Sequence, residues 1–146
     1  MKFICASYSK TGTKTLASAL RLLGLSVHDL PEHISVNGDY WWRILKADDS
    51  DIVAKSPEIF KLMYHNIDAV TDSPAFMFWE QILEAFPDAK VILVERDEDK
   101  WLASLQKHLK RERTENKLGW LNLYFPELTK LIFWPLWRNQ TRHRTV

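Results

Sequence analysis

"KFICASYSKTGTKTLASALRLLGL", Lys2 to Leu25, is the stretch whose reading decides the fold. It opens with "KFICASY", a short β-prone apolar run of the kind that forms a buried strand in a parallel sheet. It closes with Leu16, Leu20 and Leu23 at i, i+4 and i+7, the core-facing stripe of a helix, and Gly24 as its stop. Between them lies a turn built on Gly12, with Lys10, Thr11, Thr13, Lys14 and Thr15 around it. A strand that feeds a helix through such a turn aims backbone N–H groups and the positive end of the helix dipole at one point, where an anion binds. The threonines add hydroxyl donors and the lysines add charge. A Walker loop needs G-x-x-x-x-G-K-[ST], and this is not one. Thr13 follows Gly12, the lysine comes one place late, and Ser7 stands where the first glycine belongs. The turn does not by itself name the anion, and a threonine-rich turn that only caps a helix has the same letters.

The rest of the chain repeats the strand-then-helix rhythm. "LSVHDL" is a second strand, "GDYWWRILKA" and "PEIFKLMYHN" are helices, and "IDAVTD" is a third strand. That strand leads through Pro74 into the amphipathic "AFMFWEQILEAF". "AKVILVE" is the clearest strand, and "DEDKWLASLQKHLKRE" opens with acids and closes with bases, as a helix dipole prefers. The alternation implies an α/β fold, a doubly wound parallel sheet of about four strands flanked by helices. The first strand is expected at the centre, with the third and fourth beside it. After residue 110 the pattern degrades into the aromatic-rich "LGWLNLYFPELTKLIFWPLW" and a basic tail.

Length and composition set the outer limits. At 146 residues, with 46% hydrophobic and 27% charged residues, the chain suits one compact globular domain, 1–146, whose part from 110 on is less regular. A formal net charge of +1 gives no general attraction to nucleic acid or anionic lipid, so anion binding must be local. A single cysteine, Cys5, excludes an internal disulfide and suits a reducing compartment. "MKFICAS" is too short an apolar run for a signal peptide, and no run reaches the length of a spanning helix, so the expectation is a cytoplasmic protein. The segment 118–137, with Trp120, Trp134 and Trp137, is left with three readings: an apolar acceptor pocket, peripheral membrane contact, or a subunit contact. Cys5 reads as a small buried hydrophobe, and Trp41, Trp42, Trp79 and Trp101 read as core or pocket wall.

A second constellation lies in "VILVERDEDKWLASL". Arg96 stands just past the carboxyl end of a strand, where open α/β sheets bind ligands. Ser104 follows about two helical turns later. An arginine fork and a hydroxyl converging on one phosphate make physical sense. An ordinary surface arginine, paired with Asp97 or Glu98, is the plain alternative.

Taken together, these words resemble a known family. Lys10, Thr11, Gly12 and Thr13 resemble the K-[ST]-G-T core of the loop that holds the 5′-phosphosulfate in P-loop sulfotransferases. Arg96 and Ser104 resemble that superfamily's pair for the 3′-phosphate. "KTGTKTLASALRLLGL" and "TDSPAFMFWEQILEAFPDAKVILVERDEDKWLAS" are similar, in order, to the pattern of a branch of these proteins. The likeness runs from about residue 3 to residue 109, in a chain short for the family. It departs from the pattern at Lys14 and Thr15, and it lacks the "RKG…GDWK" lid segment of cytosolic relatives. The basic residues Arg138, Arg142, His143 and Arg144 are the substitutes on offer for that lid.

The resemblance implies a sulfotransferase that moves a sulfuryl group from 3′-phosphoadenylyl sulfate (PAPS) to a hydroxyl or amine acceptor. The acceptor, whether small molecule, lipid or glycan, stays open. It implies Lys10 as the charge-stabilising cation, with Thr11, Gly12, Thr13, Lys14, Thr15, Arg96 and Ser104 holding the donor. Asp72, in "TDSP", occupies the position of the catalytic base by resemblance, with an N-cap or Asx-turn role as the equal alternative. His28 is the reserve candidate base, because neutral imidazole is better matched to neutral pH, with a hydrogen-bonded structural histidine beside Asp29 as its leading alternative. No metal is expected, since His, Asp and Glu show no ligand spacing. Two rivals remain: a P-loop nucleotide or small-molecule kinase, and an inactive sulfotransferase-like binding module.

Overall fold

The computed structural model describes residues 1–47 and 56–114. The expected aromatic segment 118–137 and the basic tail lie outside them. The chain divides into two compact units, Met1–Ser104 and Leu105–Val146, and the sheet and candidate site lie in the first.

Four short strands make the sheet: β1 (Phe3–Cys5), β2 (Val27–His28), β3 (Ala69–Val70) and β4 (Lys90–Ile92). Their order is β2-β3-β1-β4 and every pairing is parallel. β1 is therefore central with β3 and β4 at its sides, as the sequence predicts. Six helices join them: α1 (Thr13–Leu22), α2 (Leu30–Ser35), α3 (Gly38–Lys46), α4 (Pro57–Met63), α5 (Trp79–Ala85) and α6 (Glu98–Thr114). A 3₁₀ turn, Ala75–Phe78, precedes α5, so the amphipathic segment expected there is two pieces rather than one.

Handedness explains which face each helix covers. Parallel crossovers are right-handed. The step from β1 to β2 moves one way across the sheet, while β2 to β3 and β3 to β4 move the other way. The helices they carry must fall on opposite faces. Side chains that alternate along the strands agree. Val27 and Ala69 pack with Ala17 and Leu20 of α1. Ile4 and Val70 pack in the other cluster, with Trp41, Ile44, Phe60, Met63, Tyr64 and Ile82. The connections from β1 and β3 leave on opposite faces, and the crevice between those strands is the place where open α/β sheets take ligands.

Local chemistry sets the ends of α1. Gly24 takes φ 80°, Leu25 N–H donates to Leu20 O at 3.2 Å and Gly24 N–H to Arg21 O at 2.9 Å. This pair of bonds is the Schellman stop, with Leu20 and Leu25 in one apolar cluster to close it. Leu23 is a correction to the expected core stripe. It lies past the last helical residue and is 76% exposed, and Leu25 supplies the apolar contact instead. Of the tryptophans, Trp41 is buried, Trp79 packs half-buried against the core, and Trp42 is exposed with Lys46 Nζ 4.7 Å from its ring centre. Cys5 is buried and free. No described helix is long and apolar enough to cross a membrane.

Candidate functional site

The turn after β1 is stitched to three neighbouring segments. Ser7 Oγ accepts the Val94 N–H at 2.5 Å, which ties the end of β1 to the segment after β4. The carbonyls of the turn are then taken up one by one. Tyr8 O accepts from the Thr11 hydroxyl at 2.7 Å, Ser9 O from Trp101 Nε1 at 2.9 Å, and Lys10 O from Arg96 Nη1 at 2.7 Å. Lys10 (φ 72°) and Gly12 (φ 122°) have left-handed backbone. Gly12 needs glycine for its φ, not for space, since an added Cβ would meet nothing nearer than Val94 Cγ1 at 3.9 Å. Alternating backbone hands with the carbonyls engaged elsewhere form the anion-binding concavity called a nest.

Asp72 closes the turn from the β3 side. Its backbone is left-handed (φ 62°), and its carboxylate is buried. Oδ1 accepts the Ser9 hydroxyl and, at 2.7 Å, the Ser73 N–H; Oδ2 accepts the Thr13 hydroxyl at 2.8 Å. Ser9 Oγ also lies 2.8 Å from Ser73 Oγ. One carboxylate thus holds both ends of the turn. The Thr13 hydroxyl, spent on Asp72, does not cap α1. No side chain caps this helix, and no described acceptor takes the N–H groups of Gly12, Thr13, Lys14 or Thr15. A ten-residue helix with its first N–H groups open, preceded by a nest, has the geometry that can take an anion.

The remaining predicted residues fall as follows. Lys10 and Thr11 are half-buried in the turn, and Lys14 and Thr15 are exposed on the first turn of α1. Arg96, exposed, lies against the turn through Lys10 O. Ser104 is half-buried in α6 and makes no described hydrogen bond to the turn. His28 ends β2, at the same edge of the sheet but two strands from β1. Among the described residues no group of three or more His, Cys, Asp or Glu could hold a metal ion.

Behind Asp72 runs a buried polar chain. Thr71 Oγ1 donates to Asp29 Oδ1 at 3.0 Å. His33 Nε2 lies 3.0 Å from Thr71 O, which can only accept, so this nitrogen carries the proton. Burial pushes the His33 pKa down to about 4, so the ring is neutral and its Nδ1 accepts from the Tyr64 hydroxyl, 3.4 Å away. Burial raises both the Asp29 carboxyl, against the lowering effect of the Leu30 N–H, and the Tyr64 phenol. Trp41 Nε1 is sealed in this region and no hydrogen-bond partner is found for it among the described residues.

Sequence reasoning missed Ser9 and the roles of Trp101, His33 and Thr71, because their partners are far away in the chain. It also missed α2, although the signal was there. Asp29, Pro31 at the start and Glu32 three places on are a capping box, and Glu32 Oε2 accepts the Asp29 N–H at 2.9 Å.

Comparison with known proteins agrees with this geometry. A family model described as "Sulfotransferase domain" matches residues 2–145. The Ava biosynthesis cluster protein M of Aspergillus versicolor is 31% identical over 147 residues, covering 97% of this chain and 55% of the relative. The chain thus spans about half the length of that relative. A parallel α/β sheet and a match over nearly the whole sequence give one conclusion: the chain belongs to the sulfotransferase domain family.

Proposed function

We propose that this chain, acting as one domain over residues 1–146, transfers a sulfuryl group from PAPS to a hydroxyl or amine acceptor. The observation that carries the reading is the uncapped start of α1, where the N–H groups of Gly12, Thr13, Lys14 and Thr15 find no described acceptor. The phosphosulfate sits there, with Thr11 and Thr15 at its rim. Arg96, already against the turn, and Ser104 take the 3′-phosphate.

The acceptor oxygen forms a bond to sulfur as the sulfur–oxygen bond to the 5′-phosphate breaks, and the acceptor's proton passes to a base. Charge grows on the departing phosphate oxygen, and Lys10 with the open N–H groups stabilises it. Of the two candidate bases the proposed one is His28, at the end of β2. The Asp72 carboxylate already accepts from Ser9, Ser73 and Thr13, which supports a positioning role for it.

One observation favours a second reading. A loop threonine hydrogen-bonded to a strand-end aspartate, as in Thr13 and Asp72, is the pairing with which P-loop nucleotide enzymes hold Mg²⁺. A thermal-shift panel separates the two. 3′,5′-Adenosine bisphosphate should stabilise the protein more than AMP, ATP–Mg or GTP–Mg do, with EDTA without effect. Arg96→Ala should weaken the bisphosphate about tenfold to hundredfold, the worth of a charge-assisted hydrogen bond. Equal stabilisation by AMP would remove the assignment of Arg96 and Ser104. An EDTA-sensitive preference for ATP–Mg would establish the kinase reading. Bisphosphate binding without transfer from labelled PAPS to any acceptor offered would leave a binding module.

A further inference from the structure

The structure assigns Asn37 as a positioning residue that holds His28 in its Nδ1–H tautomer, so that Nε2 presents a lone pair for the acceptor's proton. The inference rests on the reading of His28 as the base. It follows from which atoms can donate. Asn37 precedes α3 and is 3% exposed. Its Nδ2 donates to Met63 O at 3.0 Å, and a carbonyl can only accept, so the orientation of the amide is fixed. Oδ1 then faces His28 Nδ1 at 2.6 Å. Oδ1 also can only accept, so Nδ1 must carry the proton. In a neutral ring Nε2 is left unprotonated. This is the opposite of the tautomer that histidine favours in water.

The surroundings hold the ring in place without competing for Nε2. His33 and Tyr64 stand edge-on to it, each with its ring centre 6.1 Å away. Two carboxyl groups lie nearby among the described residues. Glu32 is engaged by the Asp29 N–H and by Arg21 Nη2 at 3.1 Å, and Asp29, next in the chain, accepts from the Thr71 hydroxyl at 3.0 Å. No described residue hydrogen-bonds Nε2. His28 is 9% exposed and ends β2, at the carboxyl edge of the sheet. A lone pair there takes the proton of an acceptor O–H as the new oxygen–sulfur bond forms and the bond to the 5′-phosphate breaks, leaving sulfated acceptor and 3′,5′-adenosine bisphosphate.

The tautomer can be read without an acceptor. Long-range ¹H–¹⁵N NMR on the ¹⁵N-histidine-labelled full chain at neutral pH, with His28 assigned through His28→Gln, reports which nitrogen is protonated. The wild type should show Nδ1–H, Asn37→Asp should keep it, and Asn37→Leu should move the population to predominantly Nε2–H. The affinity for 3′,5′-adenosine bisphosphate should be unchanged in both variants. An Nε2-protonated or doubly protonated wild-type ring would overturn the assignment even if neither variant folds. So would an unchanged tautomer in a folded Asn37→Leu protein. A wild type with the Nδ1–H form but no affinity for the bisphosphate would support the lock and remove the sulfuryl-transfer reading.

Discussion

Acid should unfold this protein earlier than its carboxylates alone require, and His33 is the reason. The ring is 1% exposed, and burial holds its pKa at about 4 against an ordinary 6.5. Above the ordinary value the ring is neutral in both the folded and the unfolded chain, and no stability depends on it. As pH falls below 6.5 the unfolded chain binds a proton that the folded chain refuses, so the native state loses ground until the folded value is reached. At about 1.4 kcal/mol for each unit between the two values, the full loss is about 3 kcal/mol, of which about 2.5 kcal/mol has gone by about pH 4.5. Two neighbours titrate as well. Burial raises the Glu32 pKa, but the Asp29 N–H, its own N–H and Arg21 more than offset this, so Glu32 adds to the loss below its ordinary 4.5. Asp29, raised by burial, binds its proton first in the folded chain and offsets part of the loss as pH falls towards 3.8. A control that removes only the His33 titration isolates its share. Urea unfolding at steps from about pH 7 to about pH 4.5 measures it, with His33→Gln as the control. A glutamine amide keeps a donor for Thr71 O and an acceptor for Tyr64 but does not titrate. Between about pH 7 and about pH 4.5 the wild type should lose about 2.5 kcal/mol more than the variant does. Parallel losses in the two proteins would refute the reasoning.

Two further substitutions probe the turn. Gly12→Ala meets no clash, so its cost should be the left-handed backbone alone, about 1–2 kcal/mol by thermal or urea unfolding, together with loss of bisphosphate affinity as the nest changes shape. Asp72→Ala leaves the Ser9 and Thr13 hydroxyls without their acceptor and should cost about 1–3 kcal/mol and at least about tenfold in bisphosphate affinity by calorimetry. Asp72→Asn should recover most of both, because rotating hydroxyls can serve an amide; if Asn spares binding but abolishes turnover, Asp72 is the base and His28 is not.

Much of the architecture was legible because it follows from short-range rules. The parallel sheet, β1 at its centre and the turn at its carboxyl edge come from local periodicity, glycine placement and the single hand of parallel crossovers. Lys10 and Arg96 could be named because both stand where strands end. The clearest predicted strand, "AKVILVE", is a three-residue edge strand with Val91 and Leu93 exposed. Its apolar letters gave its type, and the chain's path gave its position.

The strand-and-helix alternation, the parallel sheet and the family resemblance were thus legible in the sequence alone, since each rests on short local patterns. What the turn is fastened to was decided only by the tertiary structure. Thr13 reaches Asp72 across 59 residues, Arg96 reaches Lys10 across 86, and Trp101 reaches Ser9 across 92. A hydrogen bond over such separations depends on which donor the folded backbone carries to which acceptor, and no local pattern records that. The same holds for Asp72, which sequence offered as a base or a turn residue in equal measure. The three donors on its carboxylate come from Ser9, Thr13 and Ser73, and two of these are distant in the chain.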